Sequence, residues 1–485
     1  MKSIKLAKPV TDLKATSPEN PGNRNIVLLV ITTPTFLIPF MASAVTIALP
    51  AISQQFNMDV ITLGWVTTAY ILTSTCLLVP FGKLADMYGR RTLFILGAVV
   101  FMLGSLLSAL SVSGAMLLVS RAIQGVGGAA VFATAIAILT AVFPPEQRGR
   151  VLGINTAAIY LGLSMGPLLG GWLTKHAGWE SIFTITAGLS LLSTIGALWK
   201  LNKEPVEATR EKFDFTGSAV YALALVLIMY GVSRLPESRA LWLIGGGTVV
   251  TIFFIWWETR IAYPVMNIDL FRKNRGFAFS NLAALVNYSG TFAVSFLLSL
   301  YLQYARGLDA EKAGLVLISS PVMQAVFSPL FGRLSDRIEP RILSSVGMAF
   351  TALGIGLLAF ITQNTSLVYI IICLALLGFG FALFSSPNTN AVMSSVERRQ
   401  YGVASATLAT MRQLGMMVSM GIVWAVFSVV IGRVKITPEY YPALVKSVRI
   451  AFLVSAVLCA GAIFASLARG NIHVSSKKQT NVTKT

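Results

Sequence analysis

Two arginines, Arg121 and Arg412, stand inside long apolar runs that carry no Asp or Glu near their middles. A guanidinium stranded in hydrocarbon costs at least a few kcal/mol, so each must face a wet cavity or find a partner. A glutamine lies close to each, Gln124 one helical turn after Arg121 and Gln413 directly after Arg412. The carboxylates are elsewhere: Asp86, Glu180, Asp214 and Glu258 fall at the ends of apolar runs or in loops, and the only histidines, His176 and His473, lie outside them. A membrane-buried proton carrier is normally a carboxylate or His whose pKa desolvation can raise. The middles of these runs hold neither. A Gly-x-x-x-x-Gly-Lys-Ser/Thr phosphate loop is also absent, so ATP-driven work is not indicated and an enzyme reading finds no support. No cofactor or metal site is expected.

The remaining charged stretch is Gly82-Lys83-Leu84-Ala85-Asp86-Met87-Tyr88-Gly89-Arg90-Arg91, read as a short loop between two apolar runs. A weaker copy, Gly332-Arg333-Leu334-Ser335-Asp336-Arg337-Ile338-Glu339-Pro340-Arg341, follows about 250 residues later. Glu146-Gln147-Arg148-Gly149-Arg150 and Glu397-Arg398-Arg399-Gln400-Tyr401-Gly402 each sit two apolar segments after their copy of the loop. The chain therefore reads as two related halves, a parallel repeat of the kind found in membrane transporters.

The elements that must position these residues are apolar helices. Of 485 residues 55% are hydrophobic and only 12% charged, against about a quarter charged in a soluble protein. The apolar runs are about 20 residues long, enough to cross the hydrocarbon core as helices, and they lack the alternation of a transmembrane barrel. Fourteen spans are expected. The predicted organisation is a tail over 1–25, a six-helix bundle over 26–199, a linker over 200–215, two extra helices and a following loop over 216–276, a second six-helix bundle over 277–468, and a tail over 469–485. With both termini in the cytoplasm, 27 of the 38 Lys and Arg residues lie inside and 9 outside, the other two being Arg121 and Arg412. That asymmetry favours an even span count. It also accounts for the net charge of +19 without nucleic acid as a partner. Cys76, Cys373 and Cys459 all lie in apolar runs, where they serve as small packing residues.

The stretch at 82–91 resembles the cytoplasmic signature of the major facilitator superfamily. Arg121-Ala122-Ile123-Gln124-Gly125-Val126-Gly127-Gly128-Ala129 looks like that family's fourth-span motif, and Gly162-Leu163-Ser164-Met165-Gly166-Pro167-Leu168-Leu169-Gly170-Gly171 like the fifth-span motif of drug exporters. With fourteen spans and Arg412-Gln413-Leu414-Gly415 late in the chain, the whole sequence is similar to the 14-spanner drug:proton antiporters. The resemblance implies an all-α membrane protein with the major facilitator fold, two six-helix bundles plus two extra central helices. It implies multidrug efflux by proton antiport across the plasma membrane, by a monomer, with small organic compounds and protons as partners beside the lipid bilayer. Gly82, Asp86, Gly89, Arg90 and Asp336 would form a conformational latch, and Gly162, Gly166, Pro167, Gly170 and Gly171 a hinge or a packing face.

One part of the family pattern fails. Aligning the first span on Ala48-Leu49-Pro50 puts Met41 where many members carry a coupling Asp, and Thr46 at the usual Asn. Proton coupling would then fall to Asp86 with Arg121, or to Glu180. Two uncompensated arginines tolerate neutral or anionic compounds better than a central acid would, so an exporter of an anionic metabolite or lipid-like molecule, weakly coupled or uncoupled to protons, stands as the alternative. A membrane sensor is a further reading, without a signalling domain to support it. The candidate cavity residues are Met41, Thr46, Trp65, Tyr70, Gln124, Tyr160, Asn287, Tyr288, Gln324, Asn388 and Arg412.

Overall fold

The computed structural model describes residues 21–201, 213–261, 264–266, 268–335, 337–396 and 401–469. Among the described residues fourteen helices are long and apolar enough to cross a membrane: α1 (Arg24–Phe56), α2 (Val60–Tyr88), α3 (Arg90–Ala109), α4 (Gly114–Val142), α5 (Arg150–Ala177), α6 (Glu180–Lys200), α7 (Phe215–Ser233), α8 (Ser238–Glu258), α9 (Arg275–Ala305), α10 (Ala310–Leu334), α11 (Pro340–Leu358), α12 (Leu367–Ser394), α13 (Gly402–Val430) and α14 (Pro438–Ala468). The described residues contain no strand. Only helices or closed barrels satisfy every backbone polar group without water, which is why an apolar chain of this pattern becomes a helical bundle. Most of the 200–215 linker, most of both tails, Glu397 to Gln400 and Asp336 lie outside the described residues.

Turn residues set where helices begin. The Asp59 carboxylate accepts from the backbone N–H groups of Ile61 at 2.9 Å and Thr62 at 3.0 Å to start α2. Asp309 does the same for α10 through Lys312 N–H at 2.8 Å, and Asn274 for α9 through Phe277 N–H at 2.9 Å. Each cap satisfies donors that a helix start leaves without a partner.

The internal repeat appears as repeated pairing. In the first half α1 packs on α5 and α6, α2 on α4, and α3 on α4 and α6; in the second, α9 packs on α13 and α14, α10 on α12, and α11 on α12 and α14. The halves meet through α2 against α13 and α5 against α10, contacts that exchange under the same two-fold relation. Between them α7 lies against both α2 and α13, while α8 is the most lipid-facing helix, with 17% of its apolar window buried.

Two expectations are corrected. The stretch at 82–91 is not a loop: α2 stays helical to Tyr88 and α3 begins at Arg90, so Gly89 alone breaks the helix, with φ 95°. That left-handed backbone suits glycine, whereas Gly82 is helical with open space around it and makes no turn. The first span, expected over 26–48, also runs on to Phe56, through Pro50.

The fifth-span glycines pack. A Cβ on Gly166 would lie 2.5 Å from Ser43 Cβ, and one on Gly170 2.7 Å from Ala44 Cα, so α5 rides directly on α1. Gly171 and Gly314 press against the α10 and α5 backbones in turn, at Ala310 and Pro167, which draws the halves together.

Fourteen spans put both ends of the bundle's chain on one face, and the opposite, far end is closed. There Lys175 Nζ pairs with Asp309 Oδ2 at 3.2 Å and Glu311 Oε2 at 2.5 Å. Ser299 Oγ donates to the Thr46 carbonyl at 2.7 Å, Gln303 Nε2 to the Ile47 carbonyl at 2.9 Å, and Val60 N–H to the Val434 carbonyl at 3.1 Å. Asp309 is held below its ordinary carboxylate value first by the Lys312 N–H it caps, against slight burial, and then by Lys175. A lowered pKa means its charge supports the closed form at neutral pH and is lost only as pH falls through that lowered value. Lys175→Glu, which sets like charges against Asp309 and Glu311, is expected to open the far end. Labelling of a Ser299→Cys probe by a membrane-impermeant thiol reagent, in a chain with its three native cysteines replaced, should rise several-fold. In the Lys175 parent, labelling corrected for the thiolate fraction should stay flat from about pH 6 to about pH 8. Unchanged labelling in Lys175→Glu would show that the ion pairs do not hold this end shut.

Candidate functional site

Three guanidiniums lie deep in the bundle, and each is treated differently. Arg121 is 1% exposed. Its Nε donates to the Val66 carbonyl at 3.0 Å, its Nη1 to Gln124 Oε1, and Gln124 Nε2 passes the chain on to Ser105 Oγ at 2.7 Å. Its face lies 4.8 Å from the Tyr70 ring centroid and 5.8 Å from that of Phe183. Carbonyl oxygen, amide and ring quadrupoles thus replace a counter-ion. Tyr70 and Gln124 are therefore part of a sealed cluster inside the first half rather than lining a cavity, and the Tyr70 hydroxyl has no hydrogen-bond partner among the described residues.

Arg469, at the C-terminal end of α14, was not expected to be buried, yet is 3% exposed. It donates to Asn388 Oδ1 at 3.1 Å, Ser280 Oγ at 3.4 Å and the Ser466 carbonyl at 2.9 Å. Asn388 Nδ2 in turn donates to the Ser280 carbonyl at 3.1 Å. Asn388 accordingly ties α12 to α9 and α14 and does not line a cavity.

Arg412 differs from both, being only partly buried. Ten residues into α13, it sits about 15 Å along the helix from its start. Nη2 donates to Thr389 Oγ1 at 2.7 Å, and the guanidinium lies 5.7 Å from the Tyr288 ring centroid. Its Nε has no partner among the described residues. Tyr288 makes an edge contact with Phe381 at 5.3 Å. Ser385 lies within hydrogen-bonding reach of Tyr288 and 3.3 Å from the Tyr160 hydroxyl on α5. Gln413 Nε2 reaches Ser74 Oγ on α2 at 3.2 Å. Tyr160 and Ser74 come from the first half and the rest from the second, so this mid-depth polar patch is where the halves touch. Trp65, partly buried and 4.7 Å from the Trp424 ring centroid, continues the seam between α2 and α13.

The other expected residues fall outside this patch. Met41 is 1% exposed and its sulfur accepts from Thr186 Oγ1 at 2.9 Å, so it packs α1 on α6 and lines no cavity. Thr46 is buried in the far-end closure described above. Asn287 is fully buried, and neither its oxygen nor its nitrogen has a partner among the described residues. Gln324 is partly buried and donates to Ser320 Oγ at 3.3 Å within α10. Asp86 is exposed and pairs with Arg90 Nη2 at 3.2 Å, one turn away across Gly89. Glu180 is partly buried in the first turn of α6, where the helix dipole favours its charge.

Sequence reading placed Asp214 and Glu258 at span ends and took neither further, but the fold brings them together where α7 starts and α8 stops. Asp214 caps α7 through Gly217 N–H at 2.8 Å and accepts from Trp257 Nε1 at 3.1 Å, while Glu258 accepts from Met266 N–H at 2.7 Å. The signal in the sequence was the Asp-x-x-Gly cap alone; the 43 residues between the two acids hid the pairing. No group of three or more potential metal ligands occurs among the described residues.

Arg121→Leu would leave Val66 O and Gln124 Oε1 buried without their donor, at an expected cost of about 1–3 kcal/mol. Thermal unfolding in detergent should show it as a lowered Tm, with Arg121→Lys intermediate. An unchanged Tm for Arg121→Leu would mean that water already serves those acceptors.

Known proteins carry the same pattern. The family model described as Major Facilitator Superfamily matches residues 33–284 and again 280–484. The chain is 31% identical over 390 residues to the riboflavin transporter RibZ of Clostridioides difficile, spanning 80% of this chain and 85% of that one. It is 30% identical over 420 residues to the multidrug resistance protein Stp of Mycobacterium tuberculosis, spanning 84% and 76%. The fold matches a solved bacterial homolog of the human lysosomal transporter Spinster, in an inward-facing and unoccupied conformation, with TM-score 0.69 and 17% identity over 93% of this chain and 98% of that one. A fourteen-helix bundle with a doubled family match and relatives that are transporters and resistance proteins belongs to the major facilitator superfamily.

Proposed function

We propose that this transporter exports amphipathic or lipophilic organic compounds from the cell by proton antiport, its two six-helix halves rocking about the mid-depth seam. One observation carries the reading: the far end is clamped by contacts between the halves, while polar side chains from both halves meet midway with Arg412 left partly open. A solute reaching that seam from the near end must part the halves to leave on the other side, which is the geometry alternating access requires. The relatives named for drug resistance support the substrate class; the riboflavin transporter supports a broader one.

The near face is then cytoplasmic, as the basic loops favour, and the protein works as a monomer in the plasma membrane. Asp86 with Arg90 at the Gly89 break, and Asp336 in the second half, act as the latch of the near end. The fifth-span Gly162, Gly166 and Gly170 form the sliding face on α1, and Pro167 the hinge point where α5 meets Gly314 of α10. Proton coupling falls to Asp86 or to Glu180, acids at opposite ends of the first half that water reaches. Arg121, held at Val66 twenty residues along α2 from Asp86, supports the first half rather than acting on that acid directly.

In everted membrane vesicles, an imposed pH gradient is expected to drive uptake of a fluorescent amphipathic dye, and Asp86→Asn with Glu180→Gln together should slow it at least ten-fold. Proton-driven uptake that survives the double substitution would remove these acids from coupling. Uptake indifferent to the gradient would favour uncoupled export, and no uptake of any dye would reject the exporter reading.

A further inference from the structure

We propose that Arg412 anchors a binding site for organic anions, a carboxylate or comparable oxyanion carried on an aromatic or apolar body. The inference deepens the exporter reading and rests on it for the direction of movement.

The argument starts from what each buried guanidinium does with its donors. Arg121 and Arg469 spend theirs on protein oxygens and are 1% and 3% exposed, so nothing further can bind there. Arg412 spends one nitrogen on Thr389, keeps Nε without a partner and remains partly exposed at the seam. No ion pair involves Arg412 among the described residues. A planar fork whose buried Nε lacks an acceptor, without a counter-charge among the described residues, is matched in shape and sign by a carboxylate once the seam parts.

The surroundings select in the same direction. The groups it touches are neutral, the Thr389 hydroxyl and the Tyr288 ring, and so are those next to them, the Ser385 and Tyr160 hydroxyls. The neighbouring Gln413 amide, also neutral, is turned to Ser74. Hydroxyls and amides can donate to an oxyanion, whereas a lipophilic cation would meet an uncompensated positive charge in a low-dielectric seam. Tyr288 and Phe381 supply an aromatic wall beside the fork. Because Tyr160 comes from the opposite half, an anion held between it and Arg412 would also link substrate occupancy to the separation of the halves.

The test is equilibrium binding to the full-length protein in detergent, read by fluorescence anisotropy. The probes are a fluorescent aromatic carboxylic acid, its methyl ester and a lipophilic cation of similar size. The wild-type chain is expected to bind the acid at least ten-fold more tightly than the ester, and the cation weakest. Arg412→Gln should abolish the preference while ester binding is unchanged, and Arg412→Lys should keep part of it, having the charge without the fork. Equal binding of acid and ester by the wild type overturns the proposal without reference to any variant. So does an Arg412→Gln chain that still prefers the acid, or one that loses acid and ester alike. Selective acid binding in detergent with no dye movement in vesicles would keep the anion site and reject the exporter.

Discussion

Hydrocarbon offers a polar group no partner, and most of this structure follows from how the chain meets that condition. Backbone groups are satisfied inside fourteen helices, and the helix starts that emerge near water are capped by Asp59, Asn274 and Asp309. Serine and threonine hydroxyls within the spans turn back to carbonyls one turn earlier, as Thr75 does to Ile71 at 2.7 Å. What remains is a few groups that cannot be satisfied within their own helix. They mark where the helices must come together.

The guanidiniums are the most demanding of these groups, since none of the three forms an ion pair with a carboxylate among the described residues, Glu339 acting on Arg469 only as a nearby charge. Arg121 solves the problem inside one half with a carbonyl, a glutamine and two aromatic faces. Arg469 solves it where three helices of the other half converge near the cytoplasmic side proposed above. Both fix their own half as a rigid body. Arg412 sits on the surface between the two bodies, where a complete set of protein partners would glue the halves together. Its incomplete solvation and the mobility expected of the seam have one origin.

Small residues do the complementary work. Gly166 and Gly170 bring α1 and α5 into backbone contact, and Gly171 with Gly314 do so across the halves at the far end. Without a hydrophobic drive between helices in lipid, such close approach supplies the packing energy. At the far end it is combined with the Lys175 pairs to Asp309 and Glu311, whose side chains are 30–38% exposed and so only loosely held. Close backbone packing beside weak ion pairs makes a closure that is specific in geometry yet inexpensive to break.

Fold class, span number and the repeat were legible in the sequence because each depends on local composition. Twenty apolar residues form a membrane helix whatever surrounds them, and the Gly82 and Gly332 stretches display the duplication directly. Arg121 and Arg412 also stood out by type, since charge in an apolar run is conspicuous, and Gln124 by its place one turn from Arg121. What each side chain touches was not legible. Trp65, Tyr160, Tyr288 and Arg412 came together at the seam, whereas Met41, Tyr70 and Asn388, of equal promise by position along a span, turned into packing or into arginine cages. The burial of Arg469 gave no warning, and the Asp214 cap did not foretell its meeting with Glu258. The physical reason is that the rotation of a helix about its axis, and the neighbour it presents each face to, are set by contacts between residues tens to hundreds of positions apart. Sequence alone determined that this chain crosses a membrane fourteen times as a doubled transporter bundle. Only the tertiary structure decided which of its polar residues face one another across the line where the halves part.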